Sequence, residues 1–287
     1  MSLHHPGVMD VSITCVSEGT TSTESDELAV EEPLEIRVSL PEEGRAARPI
    51  AVTMRTPGND VELALGLLWA ERVITDLAHV RELRISAEAD ERETALPVRA
   101  DLIESNQVDV ELAAGAGRRP ERSFLSSSAC GVCGATTVES LALEFASVPA
   151  GPAVAPELLA DLAGRLRERQ RLFDQTGGLH AAGLFDRTGE LVELREDVGR
   201  HNAVDKVVGR ALLDGRLPLA GHLLVVSGRG GYEIVQKAVA AGIPLVAAVG
   251  APSSLAVATA RRFGLTLVGF LRGGRFNVYS APERLKA

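Results

Sequence analysis

Two of the three cysteines in this chain stand three apart in SSSACGVCGATT, residues 126–137, and each is followed by glycine. Cys130 and Cys133 at this spacing suit three chemistries. A C-x-x-C turn is half of a tetrahedral zinc site, because two thiolates can reach one ion. The same spacing serves a redox dithiol. The pair also suits a single reactive thiolate. A helix is expected over ATTVESLALEF (135–145), and the unpaired N–H groups and dipole at a helix N-terminus lower a thiol pKa.

The rest of the chain weighs on this choice. Cys15 lies far away, in a strand-like SITCVS. A zinc nucleobase deaminase carries H-x-E ahead of P-C-x-x-C. None of the six histidines (4, 5, 79, 180, 201 and 222) begins H-x-E, and Ala129 stands where the proline would be. Zinc is therefore disfavoured, leaving only a site completed by His180 or His201. No thioredoxin-type βαβ unit precedes the pair. The flanking serines and glycines give the backbone the freedom to bring one sulfur to two partners in turn. Two inert buried thiols in a tight turn are the structural alternative.

A second set of residues suits anions. SGRGGYE (227–233) and APSSLA (251–256) each fall where an apolar strand passes into a helix, a favourable place for phosphate. LRGGR (271–275) offers Arg272 and Arg275 for bidentate phosphate contact and two glycines for close backbone approach. Taken alone, it reads equally well as a turn with two solvated arginines. Net charge is −9, which argues against a general nucleic-acid binder, but the charge is unevenly spread. From Arg195 onward there are 13 Lys and Arg against 6 Asp and Glu, a balance of +7 that leaves −16 for the remainder. A basic third on an acidic chain points to a local anionic ligand.

These groups need elements to hold them. The 287 residues fit one large or two unequal α/β domains, and 45% hydrophobic content is enough to bury a core. No apolar run approaches the ~18–20 residues that span a bilayer. MSLHHPGVMDVSITC shows no secretory signal, so a cytoplasmic location is expected, where structural disulfides are rare. Residues 17–32 are polar and acidic and read as a lead-in. Strands are expected at 34–40 and 49–56, then a helix from VELALGLLWAERVI capped by Asn59 or Asp60. Short strands follow over 80–112. PELLADLAGRLRERQRLF (156–173) reads as one amphipathic helix. Beyond it, apolar strands alternate with helices, which implies a partly parallel sheet covered on both faces. His180 and His201 read more readily as hydrogen-bonded structural histidines than as catalysts. Asp197 is a candidate cap, and Arg195, Arg200 and Lys206 are candidates for a basic surface. Asp205 with Lys206 reads as a surface helix.

Three strings carry a family resemblance: SSACGVCG (127–134), FDQTGGLHAAGLF (173–185) and REDVGRHNAVDKVVG (195–209). With YEIVQKAVAAGIP, APSSLAV and LVGFLRGGRFNVYS they resemble the formate dehydrogenase accessory sulfurtransferase family (FdhD/NarQ), from about Leu28 to Ser280. The resemblance implies an α/β protein: a flexible segment 1–27, a small mixed α/β domain 28–126, and a layered cytidine-deaminase-like α/β domain 127–287 bearing the C-x-x-C loop. It implies a cytoplasmic homodimer without a membrane span or a nucleic-acid partner. A cysteine desulfurase loads sulfane sulfur onto Cys130, with Cys133 as companion. The sulfur passes to the metal of a bis-molybdopterin guanine dinucleotide cofactor, a bound substrate that formate dehydrogenase then receives. No permanently bound metal is implied. The family's cofactor contact falls on Phe270, Leu271, Arg272, Gly273, Gly274 and Arg275. The family often carries small hydroxyl residues after SGR and before A-P; here Gly230, Gly231 and Gly250 occupy those positions. Two other functions fit the residues: a cofactor-binding chaperone without persulfide chemistry, or a C-x-x-C redox or zinc module.

Overall fold

The computed structural model describes residues 6–41, 46–86, 96–102, 105–114, 124–126 (as backbone) and 145–286. Cys130, Cys133 and the helix expected after them lie outside the described residues. The fold is mixed α/β, with two six-stranded sheets and a separate hairpin.

The first sheet has the order β6-β5-β7-β3-β4-β8. Its strands are β3 (Glu32–Ser39), β4 (Arg48–Arg55), β5 (Val80–Ser86), β6 (Val98–Leu102), β7 (Gln107–Leu112) and β8 (Phe124–Ser126). β3 and β4 pair antiparallel, matching the strand pair read from the alternation of LEIRVSL and PIAVTMRT. Helix α1 (Asp60–Ala70) covers this sheet and shares its apolar core, with Leu63, Leu65 and Leu68 fully buried.

The second sheet has the order β10-β9-β11-β12-β13-β14. β9 (His180–Phe185) and β10 (Leu191–Asp197) pair antiparallel, whereas β11 (Leu223–Val226), β12 (Leu245–Ala248) and β13 (Thr266–Arg272) run parallel. β14 (Arg275–Ser280) returns antiparallel to β13. Helices α4 (Arg200–Leu213), α5 (Tyr232–Ala240) and α6 (Ser254–Phe263) bury one apolar face against this sheet, and α2 (Pro156–Arg167) packs in the core on the other. β11 and β12 are apolar throughout and β13 is apolar between Thr266 and Arg272, as strands covered on both faces must be. No helix among the described residues is long and apolar enough to cross a membrane.

Three local features depart from the sequence reading. Residues expected as a polar lead-in instead form an antiparallel ribbon, β1 (Val8–Ser17) with β2 (Thr20–Ala29), in ten pairs. The ribbon turns at Glu18–Gly19, both with positive φ (51° and 81°), the two-residue geometry that matches strand twist. The acidity of β2 masked a strand that pairing with β1 supports.

The helix expected over 156–173 stops at Arg167, and a short α3 (Arg171–Thr176) begins anew. The backbone N–H groups of Leu172 and Phe173 donate to the Glu196 carboxylate on β10, at 3.0 and 2.8 Å. A remote carboxylate thus caps α3, and local periodicity carries no trace of it. At α1, Asn59 takes the N-cap position but sits in the left-handed region at φ 60° and makes no side-chain cap bond. Asp60 instead receives Arg55 through two bonds of 3.0 and 2.9 Å.

The two sheets are joined through the crossing of α1 and α4. At Gly66 a Cβ would lie 1.9 Å from the Asp205 carbonyl oxygen, and at Gly209 one would lie 1.9 Å from the Glu62 carbonyl oxygen. The helices therefore touch backbone to backbone, each through the other's glycine. Gly to Ala inside an exposed helix is worth about 1 kcal/mol of stability. Here the sign reverses: Gly66→Ala or Gly209→Ala should cost about 3 kcal/mol or more by overpacking. Thermal unfolding of either variant checks this, and an unchanged or raised Tm would contradict the crossing.

Candidate functional site

The site lies at the carboxyl ends of the parallel strands, where ligands settle in open α/β sheets. Four segments meet there: the start of β9 at His180, the turn after β11 at Ser227–Gly231, the turn after β12 at Val249–Pro252, and the end of β13. Hydrogen bonds fix them to one another. Ser227 Oγ accepts from the Ala181 N–H at 2.8 Å, and the Ser227 N–H returns to the Ala181 carbonyl at 2.9 Å. The Gly250 N–H donates to Gly228 at 2.9 Å, and the Phe270 N–H donates to the Gly250 carbonyl at 3.1 Å.

Two of the three glycines at positions where hydroxyl residues are expected pack closely against neighbouring turns. A Cβ on Gly250 would lie 3.0 Å from the Gly228 oxygen and 3.1 Å from Arg229 Cα, a tight fit that a side chain meets only if the neighbouring turn gives by a few tenths of an ångström. A Cβ on Gly230 would lie 3.3 Å from that of Ala248, while Gly231 faces open space.

The six residues expected to hold cofactor form the β13–β14 tip. Phe270 has φ 57°, a left-handed conformation at a register shift in the ladder. Gly273 and Gly274, at φ 59° and 73°, make the two-residue turn between Arg272 and Arg275, which face each other across the ladder. Both arginines are exposed and neither is engaged by a carboxylate among the described residues. Leu271 is fully buried, so its side chain serves the core. The tip borders two clefts. One, of about 280 Å³, is lined by Phe270, Arg272, Arg275 and Asn277. The larger, of about 570 Å³, runs from Arg272 and Leu271 past His180 and Ser227 to a wall of α2 and α3 that includes Gln170 and Phe173. Nothing in the chemistry of Phe173 or Gln170 singles them out in sequence; they enter because Glu196 starts α3 where it does.

Cations crowd the neighbouring end of α4. Arg200 has a buried Nε without a hydrogen-bond partner, and burial, then Arg229, lower its pKa. A Cβ at Gly228 would meet Arg200 Cδ at 3.3 Å and His180 Nδ1 at 3.4 Å, so both side chains line the turn after β11. Burial, then Arg200, lower the pKa of His180. His201 falls to about 3 through burial, then Lys237, Arg200, His180 and Arg229. Each positive group thus makes its neighbours harder to protonate, and an anion would relieve all of them.

Other residues of the REDVGRHNAVDK string lie elsewhere. Arg195, Asp205 and Lys206, read as basic or helical surface, are buried. Arg195 donates to both oxygens of Glu62 on α1, at 2.5 and 2.6 Å. Lys206 Nζ lies 2.7 Å from Asp197 and donates to the Thr56 carbonyl at 2.9 Å. Asp205 accepts from Lys237 at 2.7 and 2.9 Å; burial raises its pKa to about 6. Asp197 is not a helix cap of the ordinary kind. Its carboxylate collects Gly199 N–H, Asn202 Nδ2 and Thr56 N–H at 2.7, 3.0 and 3.2 Å, binding the end of β4 to the start of α4. Thr53, whose hydroxyl donates to Asn202 at 3.1 Å, pairs in register with Ser126 on β8, four residues before Cys130. Of the string, Arg200 and His201 alone turn toward the cation cluster. Among the described residues, no group of three or more His, Cys, Asp and Glu could hold a metal ion.

Known proteins resemble this chain in sequence and fold. The FdhD/NarQ family model matches residues 29–286. The chain is 48% identical to the sulfur carrier protein FdhD of Streptomyces coelicolor, over 94% of this chain and 93% of that protein. It is 40% identical to that of Sulfolobus acidocaldarius, over 97% and 98% respectively. The crystal structure of a candidate formate dehydrogenase accessory protein from Desulfotalea psychrophila superposes with a TM-score of 0.71 at 26% identity, covering 98% of this chain and 100% of that one.

The cation cluster itself can be tested. Arg200→Ala should weaken binding of inorganic pyrophosphate by about tenfold, the loss of one charge-assisted hydrogen bond. Calorimetric titration of wild type and variant measures it, and equal affinities would count against an anion site here.

Proposed function

We infer that this chain, which belongs to the FdhD/NarQ family, is a sulfur carrier serving formate dehydrogenase. Its finer chemistry is a sulfurtransferase reaction on Cys130. The Cys130 thiolate attacks the terminal sulfur of a cysteine desulfurase persulfide. A Cys130–S–SH bond forms, the desulfurase S–S bond breaks, and the desulfurase thiolate leaves. The Cys130 S–S bond then breaks, Cys130 leaves as thiolate, and the sulfane sulfur passes to the metal of a bis-molybdopterin guanine dinucleotide held as substrate, whose reduced metal would supply the two electrons that make it sulfide.

The observation that carries the reading is the convergence of three glycine-rich turns with Arg200, Arg229, Arg272 and Arg275 on one sheet edge. None of these arginines has a carboxylate hydrogen bond among the described residues, while the other arginines of the same motif region are tied up in ion pairs. A cofactor with two pyrophosphates asks for such free forks and for backbone N–H groups beside them. Arg272 and Arg275 at the β13–β14 tip, with Gly273 and Gly274 between them, would hold one pyrophosphate, and Arg200 with Arg229 the other. Support also comes from β8, which ends at Ser126, four residues before Cys130 in sequence, in register with Thr53, whose hydroxyl donates to Asn202 near the start of α4.

Intact-protein mass spectrometry after incubation with a cysteine desulfurase and cysteine tests the chemistry. A reducible gain of about one sulfur, ~32 Da, is expected in wild type and Cys133→Ala and absent in Cys130→Ala. No gain in wild type, with the desulfurase shown to be active, would favour a cofactor chaperone without persulfide chemistry.

A further inference from the structure

The larger cleft has a neighbour that the chemistry above does not use. The ribbon of β1 and β2 is rooted at the cleft wall. A Cβ on Gly178 would lie 3.5 Å from that of Ala29, β2 touches α3, and Gly178 and Phe173 both line the cleft. Ten unbroken pairs at ~3.4 Å per residue make the ribbon about 30 Å long. Two strands without a third are marginal in water. This pair is weakened further, because Asp10 stands opposite Glu27 in register.

Alternation divides the ribbon's side chains between two faces. One face sets Met9, Val11 and Ile13 of β1 against Leu28, Asp26 and Glu24 of β2. Met9 and Leu28 are 53% and 42% exposed. Among the described residues, none of Met9, Val11, Ile13 and Leu28 joins an apolar core. Glu24 and Asp26 stand exposed beside this stripe. No Lys or Arg occurs before Arg37, whereas the ribbon carries Asp10, Glu18, Glu24, Asp26 and Glu27. Acidic groups that only guarded a strand edge against aggregation would not need an exposed apolar stripe beside them.

The face fits a partner that offers apolar side chains ringed by cations. A second copy of the same face fits badly, because Glu24 and Asp26 would meet their own kind. The cofactor inferred above points to a better occupant. Its two pyrophosphates are anionic, so an enzyme that takes it up needs cations around the entrance to its site. We propose that the β1–β2 ribbon is a docking arm for the formate dehydrogenase that receives the cofactor. Cations at the mouth of the enzyme's empty pocket meet Glu24 and Asp26, and apolar side chains among them meet Met9, Val11 and Leu28. Docking at the root of the ribbon sets that mouth beside the cleft. The arm rests on the carrier role inferred above.

Surface plasmon resonance of the full chain against folded, cofactor-free formate dehydrogenase from the same organism tests the proposal at low and high salt. Three proteins are compared: wild type, Glu24→Lys with Asp26→Lys, and Met9→Ser with Leu28→Ser. All four side chains are exposed, so the fold should tolerate their replacement. Wild type should bind, and more weakly as salt rises. Charge reversal should cost about tenfold or more at low salt and flatten the salt dependence. The apolar variant should cost about tenfold at either salt. Both variants should still gain the ~32 Da of one sulfur from a desulfurase, which separates the arm from the carrier chemistry. Wild-type affinity in both variants, or no binding by wild type, overturns the proposal. Variants that bind the enzyme normally but change this chain's own oligomeric state in sedimentation assign the ribbon to a second copy and also overturn it. Absence of the sulfur gain in wild type counts instead against the carrier reading.

Discussion

Two helices meet with no side chain between them, and the rest of the molecule is arranged around that contact. Gly66 of α1 rests on the backbone of Asp205, and Gly209 of α4 rests on the backbone of Glu62. Beside the crossing, Leu212 and Leu213 of α4 join the apolar core around α1, and paired charges fill the other side. Arg195 with Glu62, Lys206 with Asp197, and Lys237 with Asp205 all lie buried near it. A buried ion pair adds little over an apolar equivalent, but removing one partner typically costs about 3–5 kcal/mol. The arrangement fixes one register of α1 on α4, and hence one placement of the first sheet against the second. Trp69 adds to it by donating from Nε1 to the Ala240 carbonyl at 2.8 Å, tying α1 to the end of α5.

This register has consequences for the sheet edge. Asp197 and Asn202 hold the end of β4 against the start of α4, so Arg200 and His201 are presented from a clamped helix terminus. The turns after β11 and β12 are packed against each other at Gly228 and Gly250, and Phe270 hangs from the second of them. A group that binds the edge therefore meets a surface whose backbone is already set, which lowers the cost of ordering it. Arg200, Arg229, Arg272 and Arg275 form no ion pair with a carboxylate among the described residues, and Glu233 is the acidic group near Arg200 and His201.

Much of the fold was legible in sequence because its signals are local. The apolar strands 223–226 and 245–248 and the glycines that stop α4, α5 and α6 follow from periodicity and positive φ. The run 270–275 was legible as a two-glycine turn between arginines, and the structure adds that Leu271 serves the core. What sequence hid is tertiary. The break between α2 and α3 comes from Glu196 on another strand, and the ribbon at 8–29 is held by cross-strand pairing that acidic composition obscured. The densest motif, REDVGRHNAVDK, misled for the same reason. Its Arg, Asp and Lys look like surface or ligand groups, yet Arg195, Asp205 and Lys206 are buried because their partners, Glu62, Lys237 and Thr56, lie on other elements. A charged string is read as surface until the opposing charge is placed.

The central claim is that three turns, after β11, after β12 and at the β13–β14 tip, act as one site for a phosphate-bearing ligand. Hydrogen–deuterium exchange of the full chain with and without GDP tests it most directly. The account predicts slowed exchange in 227–233, 250–256 and 270–276 together, with the first sheet unchanged. Protection confined to the first sheet, or to a single one of the three turns, would contradict it.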